Sequence, residues 1–451
     1  MRRLVLIVCL ALASPGGAQL LPPVRLPQLP PLSVPSVASL QPTQSAADAA
    51  VGELDPRRLR ELHAAAIRAL LRNHRDVIEA DPHGAPMVRG EVLALAPSAA
   101  VLQSAVAAGF SLERELTLAP LDLRIAVLRV SGGTARALRR LQQQDPAGTY
   151  DFNHIYLEAG SHLEPGTVAV PLPGGSALHR AAVAEGTAAG PTGAVRIGLI
   201  DSGVDAGHEV FRGLALERHG CGPQPVPAAH GTAVASLLVG RAATFHGAAP
   251  GASLYAVDAF CGKPTGGSVE AVAEGFAWLL EQHIAVINVS LVGPPDQLLE
   301  RVVRAAIARG TLVVAAVGND GPAAPPLYPA AWPGVIGVTG VDIRDRVLAE
   351  AVRGPQVKFA APGADLVAAK VQGGYVRVRG TSFAAPIVAG LLALALPPLA
   401  APESGASSEA VAVLARSAQH SASSGTDPAL GYGVVGAELR LQAALGSARP
   451  D

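Results

Sequence analysis

Lysine is nearly missing from this 451-residue chain: Lys263, Lys358 and Lys370 are the only ones among 35 basic residues, and the formal charge is −1. Such a balance excludes the overall basic character that a nucleic-acid-binding surface requires. Cysteine is equally sparse, with Cys9, Cys221 and Cys261 alone, so the chain is no small scaffold stapled by disulfides. Compact acidic clusters of the EF-hand type are missing too, which leaves no dedicated calcium loop legible and structural calcium an open question. The apolar run at residues 4–13 is too short to span a bilayer.

What is present is apolar bulk. Hydrophobic residues make up 49% of the chain, enough for a large core and for more than one domain. Arg2 and Arg3, the short apolar run and the small residues ending at Ala18 form the pattern of a secretory signal over residues 1–18, cleaved after Ala18 or Ala13. Val8 is a poor residue to precede a lipidated Cys9. The expectation is an exported chain, periplasmic or extracellular, with no transmembrane segment once mature. In that oxidising setting Cys221 and Cys261 are expected to pair, closing a loop of 261 − 221 = 40 residues.

Residues 19–50 are proline-rich and read as an extended linker. Asp55 and Pro56 mark a helix start, and Leu59, Leu62, Ala66, Ile67 and Leu70 recur at helical spacing, predicting that residues 51–80 form an amphipathic helix running to about Glu79. Residues 81–160 alternate β-α-β-β-α-β, the ferredoxin-like plan of a small α+β domain. Residues 161–194 hold Gly, Pro and Ala without periodicity, a linker. From residue 195 to 447 short β-rich runs alternate with helical stretches, predicting an α/β domain with a parallel sheet and helices on both faces. Such sheets carry their chemistry at the carboxyl ends of strands.

Three islands stand at such positions: LIDSGVD with Asp201, AAHGTAVAS with His230, and RGTSFAAP with Ser382. A serine hydroxyl becomes a nucleophile when a base takes its proton, imidazole suits that task near neutral pH, and a carboxylate orients the imidazole. Ser382 is expected exposed at the mouth of a helix, with Pro386 in the first turn, where a missing donor costs little.

The ordered combination of DSG, HGT and GTSxAxP, with GAAPGASLYAV, VINVSL, VVAAVGND and GYGVVGAELRLQAA around them, resembles the subtilisin family of serine proteases over residues 195–444. The resemblance implies a secreted endopeptidase acting on polypeptides without a cofactor or catalytic metal, with Asn319 as a side-chain oxyanion donor. It places Ser290, Leu291 and Val292 on one wall of the substrate cleft and Ala315, Ala316, Val317 and Gly318 on the other. Val292 and Val317 stand where smaller residues are common, which implies a narrow pocket for small or medium apolar side chains. Ala233 replaces a histidine common after HGT, and Phe383 a methionine common after the serine. It also makes residues 81–160 an inhibitory prodomain, cut away between Gly160 and Ala194. A subtilisin fold kept as a silent peptide-binding module of the cell envelope is the rival reading; loss of Asp201, His230, Ser382 or Asn319 would have been its signature.

Overall fold

The computed structural model describes residues 56–159, 195–222, 226–243, 245–364, 366–397, 404–419 and 427–440. The signal-like residues 1–18, the proline-rich 19–50, the linker 161–194 and residues 441–447 lie outside the described residues. Among those described, no helix is long and apolar enough to cross a membrane.

Helix α1 (Pro56–Asn73) opens on a proline, whose missing N–H falls among the unpaired donors of a first turn, and buries Leu59. It stops short of the 51–80 expected from periodicity. The chain turns at His74, whose carbonyl accepts from the Ile78 N–H, and strand β1 (Ile78–Ala80) pairs antiparallel with β2 (Pro86–Leu95). Burying Ile78 opposite Val88 prevails over one more helical turn.

Helix α2 (Ala99–Ala107), β3 (Ser111–Leu118), β4 (Leu123–Arg129), α3 (Thr134–Gln144) and β5 (Thr149–Glu158) complete the N-terminal region. Its strands stand in the order β5-β2-β4-β3, all antiparallel. Alternation decides what each face meets. Val92, Ala94, Ala126 and Leu128 share a core with Ala105, Leu138 and Leu141 of the two helices. Leu93, Leu95, Ile125 and Val127 point the other way, into a core built with α5 (Val269–Glu281) and α6 (Gln297–Ala308).

Those two helices belong to a seven-stranded, wholly parallel sheet in the order β16-β15-β14-β12-β6-β10-β7. Its strands are β6 (Arg196–Asp201), β7 (Leu216–His219), β10 (Ser253–Asp258), β12 (Val286–Val289), β14 (Leu312–Ala316), β15 (Ile336–Val341) and β16 (Val357–Pro362). On its second face lie α4 (Ala229–Val239) and α7 (Thr381–Ala395), with α8 (Ser404–Ser417) outside α7. Two small hairpins, β8 (Arg241–Ala242) with β9 (Phe245–His246) and β17 (Leu366–Ala369) with β18 (Tyr375–Val378), flank α4 and α7. The two-residue strands β11 (Gly267–Ser268) and β13 (Leu291–Val292) stand apart from the parallel sheet and pair with β5.

Candidate active site

Asp201 ends β6 and is fully buried; its Oδ1 accepts from the Ser202 N–H at 2.7 Å and faces His230 Nδ1 at 2.8 Å. His230 lies in the first turn of α4. The approach of α4 to β6 is close enough that a Cβ on Gly231 would lie 2.0 Å from the Ser202 carbonyl oxygen, so the residue after the histidine has room for glycine alone. Burial pushes the His230 imidazole down, but the carboxylates of Asp201 and Glu158 and the bond to Asp201 outweigh it and lift the ring to about 9. The Phe383 ring lies against the imidazole, centroids 5.3 Å apart, in place of the expected thioether.

Ser382 stands in the first turn of α7, yet it is not exposed: its relative exposure is 0%. Neither Ser382 Oγ nor His230 Nε2 makes a hydrogen bond among the described residues. Pro386 also corrects the sequence reading. It lies inside α7 rather than in its first turn, and its missing N–H frees the Ser382 carbonyl, 386 − 4 = 382, from the helical ladder. That carbonyl is taken by the Ser290 hydroxyl at 2.9 Å, and Ser290 Oγ accepts in turn from Asn288 Nδ2. Ser290 therefore serves α7 through its side chain and the cleft through its backbone.

What covers Ser382 is the end of β5. The Ala159 N–H donates to the Ser290 carbonyl at 3.1 Å, and Asn319 Nδ2 donates to the Ala159 carbonyl at 3.0 Å. Asn319 is fixed by its other atom, Oδ1, which accepts from the Thr381 N–H. Around Gly380, at φ +140°, a Cβ would sit 3.1 Å from Asn319 Nδ2 and 3.6 Å from both the Ala159 oxygen and Ser382 Oγ, so these atoms converge on one point. Upstream, Glu158 pairs with Leu291 and Leu157 with Val292 on one side, while Tyr156 pairs with Gly267 on the other. Tyr156 is fully buried, gives its hydroxyl proton to the Pro294 carbonyl, and presses on Gly293, where a Cβ would meet its ring at 2.7 Å.

The expected walls are brought together only in part. Val292 and Ala316 belong to the same buried cluster as Ala159, whereas Leu291, Ala315 and Val317 turn into the core on the other side of the sheet. Strand alternation explains the split. Val317 packs into that opposite core, and Leu327 Cδ1 lies 2.4 Å from where a Gly318 Cβ would be. Gly267, Ser268, Ser202 and Leu327 escaped the sequence reading, in which residues 156–159 stood only as the end of the prodomain.

Further out, Cys221 and Cys261 form a disulfide whose turns cradle Asp258. His208 is buried, accepting from the Val210 N–H and bonded to the Gly374 carbonyl. Among the described residues three groups of side chains converge closely enough to hold an ion: Cys221 with Asp258 and Cys261, Asp151 with His154 and Asp296, and Glu158 with Asp201 and His230. None is the oxygen-only set that calcium takes.

Residues 192–433 match the subtilase family model, and the chain belongs to that family of subtilisin-like serine endopeptidases. It is 31% identical to subtilisin E of Bacillus subtilis over 272 residues, 58% of this chain and 68% of the relative. Subtilisin of Bacillus pumilus is 33% identical over 212 residues, 45% and 76% of the two chains. Among solved structures, fervidolysin of Fervidobacterium pennivorans superposes with a TM-score of 0.63 over 80% of this chain and 62% of that one; at 21% identity it speaks for the fold.

Proposed function

We propose that the protein is an exported endopeptidase made as an autoinhibited precursor, with Asp201, His230 and Ser382 as its triad and Asn319 as its side-chain oxyanion donor. Residues 81–159 act as the prodomain, and the bond it presents for cleavage joins Ala159 to Gly160. One observation carries this reading: the Ala159 carbonyl oxygen lies on the Asn319 amide, beside the buried Ser382. Export is supported by the leader pattern of residues 1–18 and by the disulfide.

In this reading His230 Nε2 takes the Ser382 Oγ proton as Oγ bonds to the Ala159 carbonyl carbon. Charge developing on the carbonyl oxygen meets the Asn319 amide and the Ser382 N–H, which a first-turn position leaves outside the helical ladder. The imidazolium, steadied by Asp201, then protonates the Gly160 nitrogen as the peptide bond breaks. Water deprotonated by His230 releases Ala159 from the acyl-enzyme. The same steps serve other polypeptides once residues 156–159 leave the cleft.

Parallel expression of wild type and Ser382→Ala tests it through intact mass, terminal sequencing and fluorophosphonate labelling. Wild type is expected to release a fragment ending at Ala159 and to label at Ser382; the variant does neither. A fragment ending beyond Ala159 would move the bond into residues 161–194. Two full-length, unlabelled proteins would leave the silent peptide-binding module.

A further inference from the structure

Glu158 brings a carboxylate to the heart of the site. It ends β5, just before Ala159, and its Oε1 accepts from Ser202 Oγ at 2.9 Å. Ser202 is buried, accepts from the Gly231 N–H at 3.1 Å, and has Asp201 Oδ1 3.2 Å from its hydroxyl. One hydroxyl proton cannot serve two carboxylates, so a seated Glu158 competes with Asp201 for it. Polar atoms of Glu158, Asp201 and His230 all lie within 4.8 Å of one another. Among the described residues, Asp201 on β6 and His230 on α4 are the titratable groups that meet Glu158, and Asp201 in turn helps to raise Asp258 at the end of β10.

A carboxylate leaving water at such a place needs both a donor and a compensating charge. The Ser202 hydroxyl supplies the first. The imidazolium of His230 supplies the second; it is the form that acyl transfer generates, so the pairing is present in the transition state, where it counts toward rate.

We infer that Ser202 is a specificity-determining residue, and that this protease prefers polypeptides with an acidic residue immediately before a small one at the cleaved bond. The inference rests on the reading that residues 156–159 occupy the cleft as substrate does, and it names the class of substrate that reading left open. The chain's own Glu158-Ala159 pair is the first member of that class. A neutral glutamine of the same shape accepts only the weaker, uncharged hydrogen bond from Ser202 and loses the pairing with the imidazolium, and a lysine at that place meets the imidazolium as a like charge.

The matured enzyme is assayed on peptides Tyr-Leu-X-Ala carrying a chromogenic leaving group, with X as Glu, Gln, Ala or Lys. The Glu peptide is expected to exceed the Gln peptide in kcat/KM on the order of tenfold. In Ser202→Ala that ratio shrinks, whatever the variant's overall activity. The acid limb of the kcat profile lies at higher pH for the Glu peptide than for the Gln peptide, because its carboxylate favours the charged imidazole in the complex. A change in folding alone would not move one peptide's limb relative to the other. Equal rates for Glu and Gln in wild type overturn the inference while leaving the protease reading intact, as does a ratio that Ser202→Ala leaves unchanged. Failure to cleave any of the four, with Ser382 unlabelled, removes both.

Discussion

The two sheets of this protein are held by different forces. Every residue of β12 and β14 in the parallel sheet is buried, between helices on both faces. The antiparallel sheet buries one face under its own helices and leans the other on α5 and α6, where apolar contacts are interleaved with ionisable ones. Arg114 pairs with Glu270 in the first turn of α5 and with Glu91, and Asn153 donates to both acids. At the start of α6, Asp151 accepts from the Gln297 N–H and His154 Nδ1 meets the capping carboxylate Asp296 at 2.8 Å. A sheet held by apolar burial stays together across pH; one seated partly through buried acids and a histidine can be made to leave. The contrast fits the proposed prodomain role, in which the enzyme and its cover have different lifetimes.

Four experiments would break or sharpen that comparison. Asn319→Ala acts on the shared site: kcat on peptides is expected to fall on the order of 100- to 1,000-fold in enzyme matured by a trace of wild type, with KM little changed. Truncating the buried anchor, Tyr156→Ala, is expected to weaken seating of the N-terminal region by about 3–5 kcal/mol. That loss is read as the inhibition constant of the released fragment. The matching truncation Phe276→Ala on α5 should appear chiefly as a lower melting temperature of the matured enzyme.

Raising pH comes next. Burial pushes His154 down, but Asp296 and Asp81 prevail and lift it to about 9 from 6.5. A histidine raised on seating adds affinity that is complete below its ordinary value and lost as pH rises through about 9. Asp151, raised from 3.8 to about 6 by burial and by the Asp296 charge, has the same sign: its contribution is lost as pH rises through about 6. The inhibition constant of the fragment should therefore climb between pH 6.5 and 9, by a factor on the order of ten to a hundred, and His154→Gln should flatten the slope. A constant that falls with pH would refute the assignment. The smallest effect is chemical: activity should persist through mild peroxide, while Phe383→Met should become sensitive to it, since only the variant sets a thioether beside Ser382.

Sequence made the parallel domain legible because its signals are local. Asp201, His230 and Ser382 each stand in a short motif at an element end, and the β-rich runs from residue 195 onward carry their own periodicity. Legibility failed where partners are distant. Pro386 was placed by counting from Ser382, but its effect depends on Ser290, 92 residues from Ser382 along the chain. The helix expected over 51–80 stops earlier because Ile78 pairs with Val88, a partner that the helical spacing of the preceding residues does not reveal. That an inhibitory prodomain covers the site followed from the resemblance, but the strands through which it does so were invisible for a third reason. Strands β11 and β13 have two residues each, too few for any period, and exist as strands only because β5 lies between them.

Strand β5 has one further consequence. Its early residues, with Phe152 opposite Val92, close the edge of the antiparallel sheet, and its last residues lie in the cleft of the enzyme. One stretch of ten residues is thus written in two languages at once. Mutations that reshape the pocket around Tyr156 or Ala159 must be answered in a strand that also belongs to a different fold. On the proposed self-cleavage, the diet of this protease is tethered to its own birth: its specificity can drift over generations only as far as its precursor can still cut itself free.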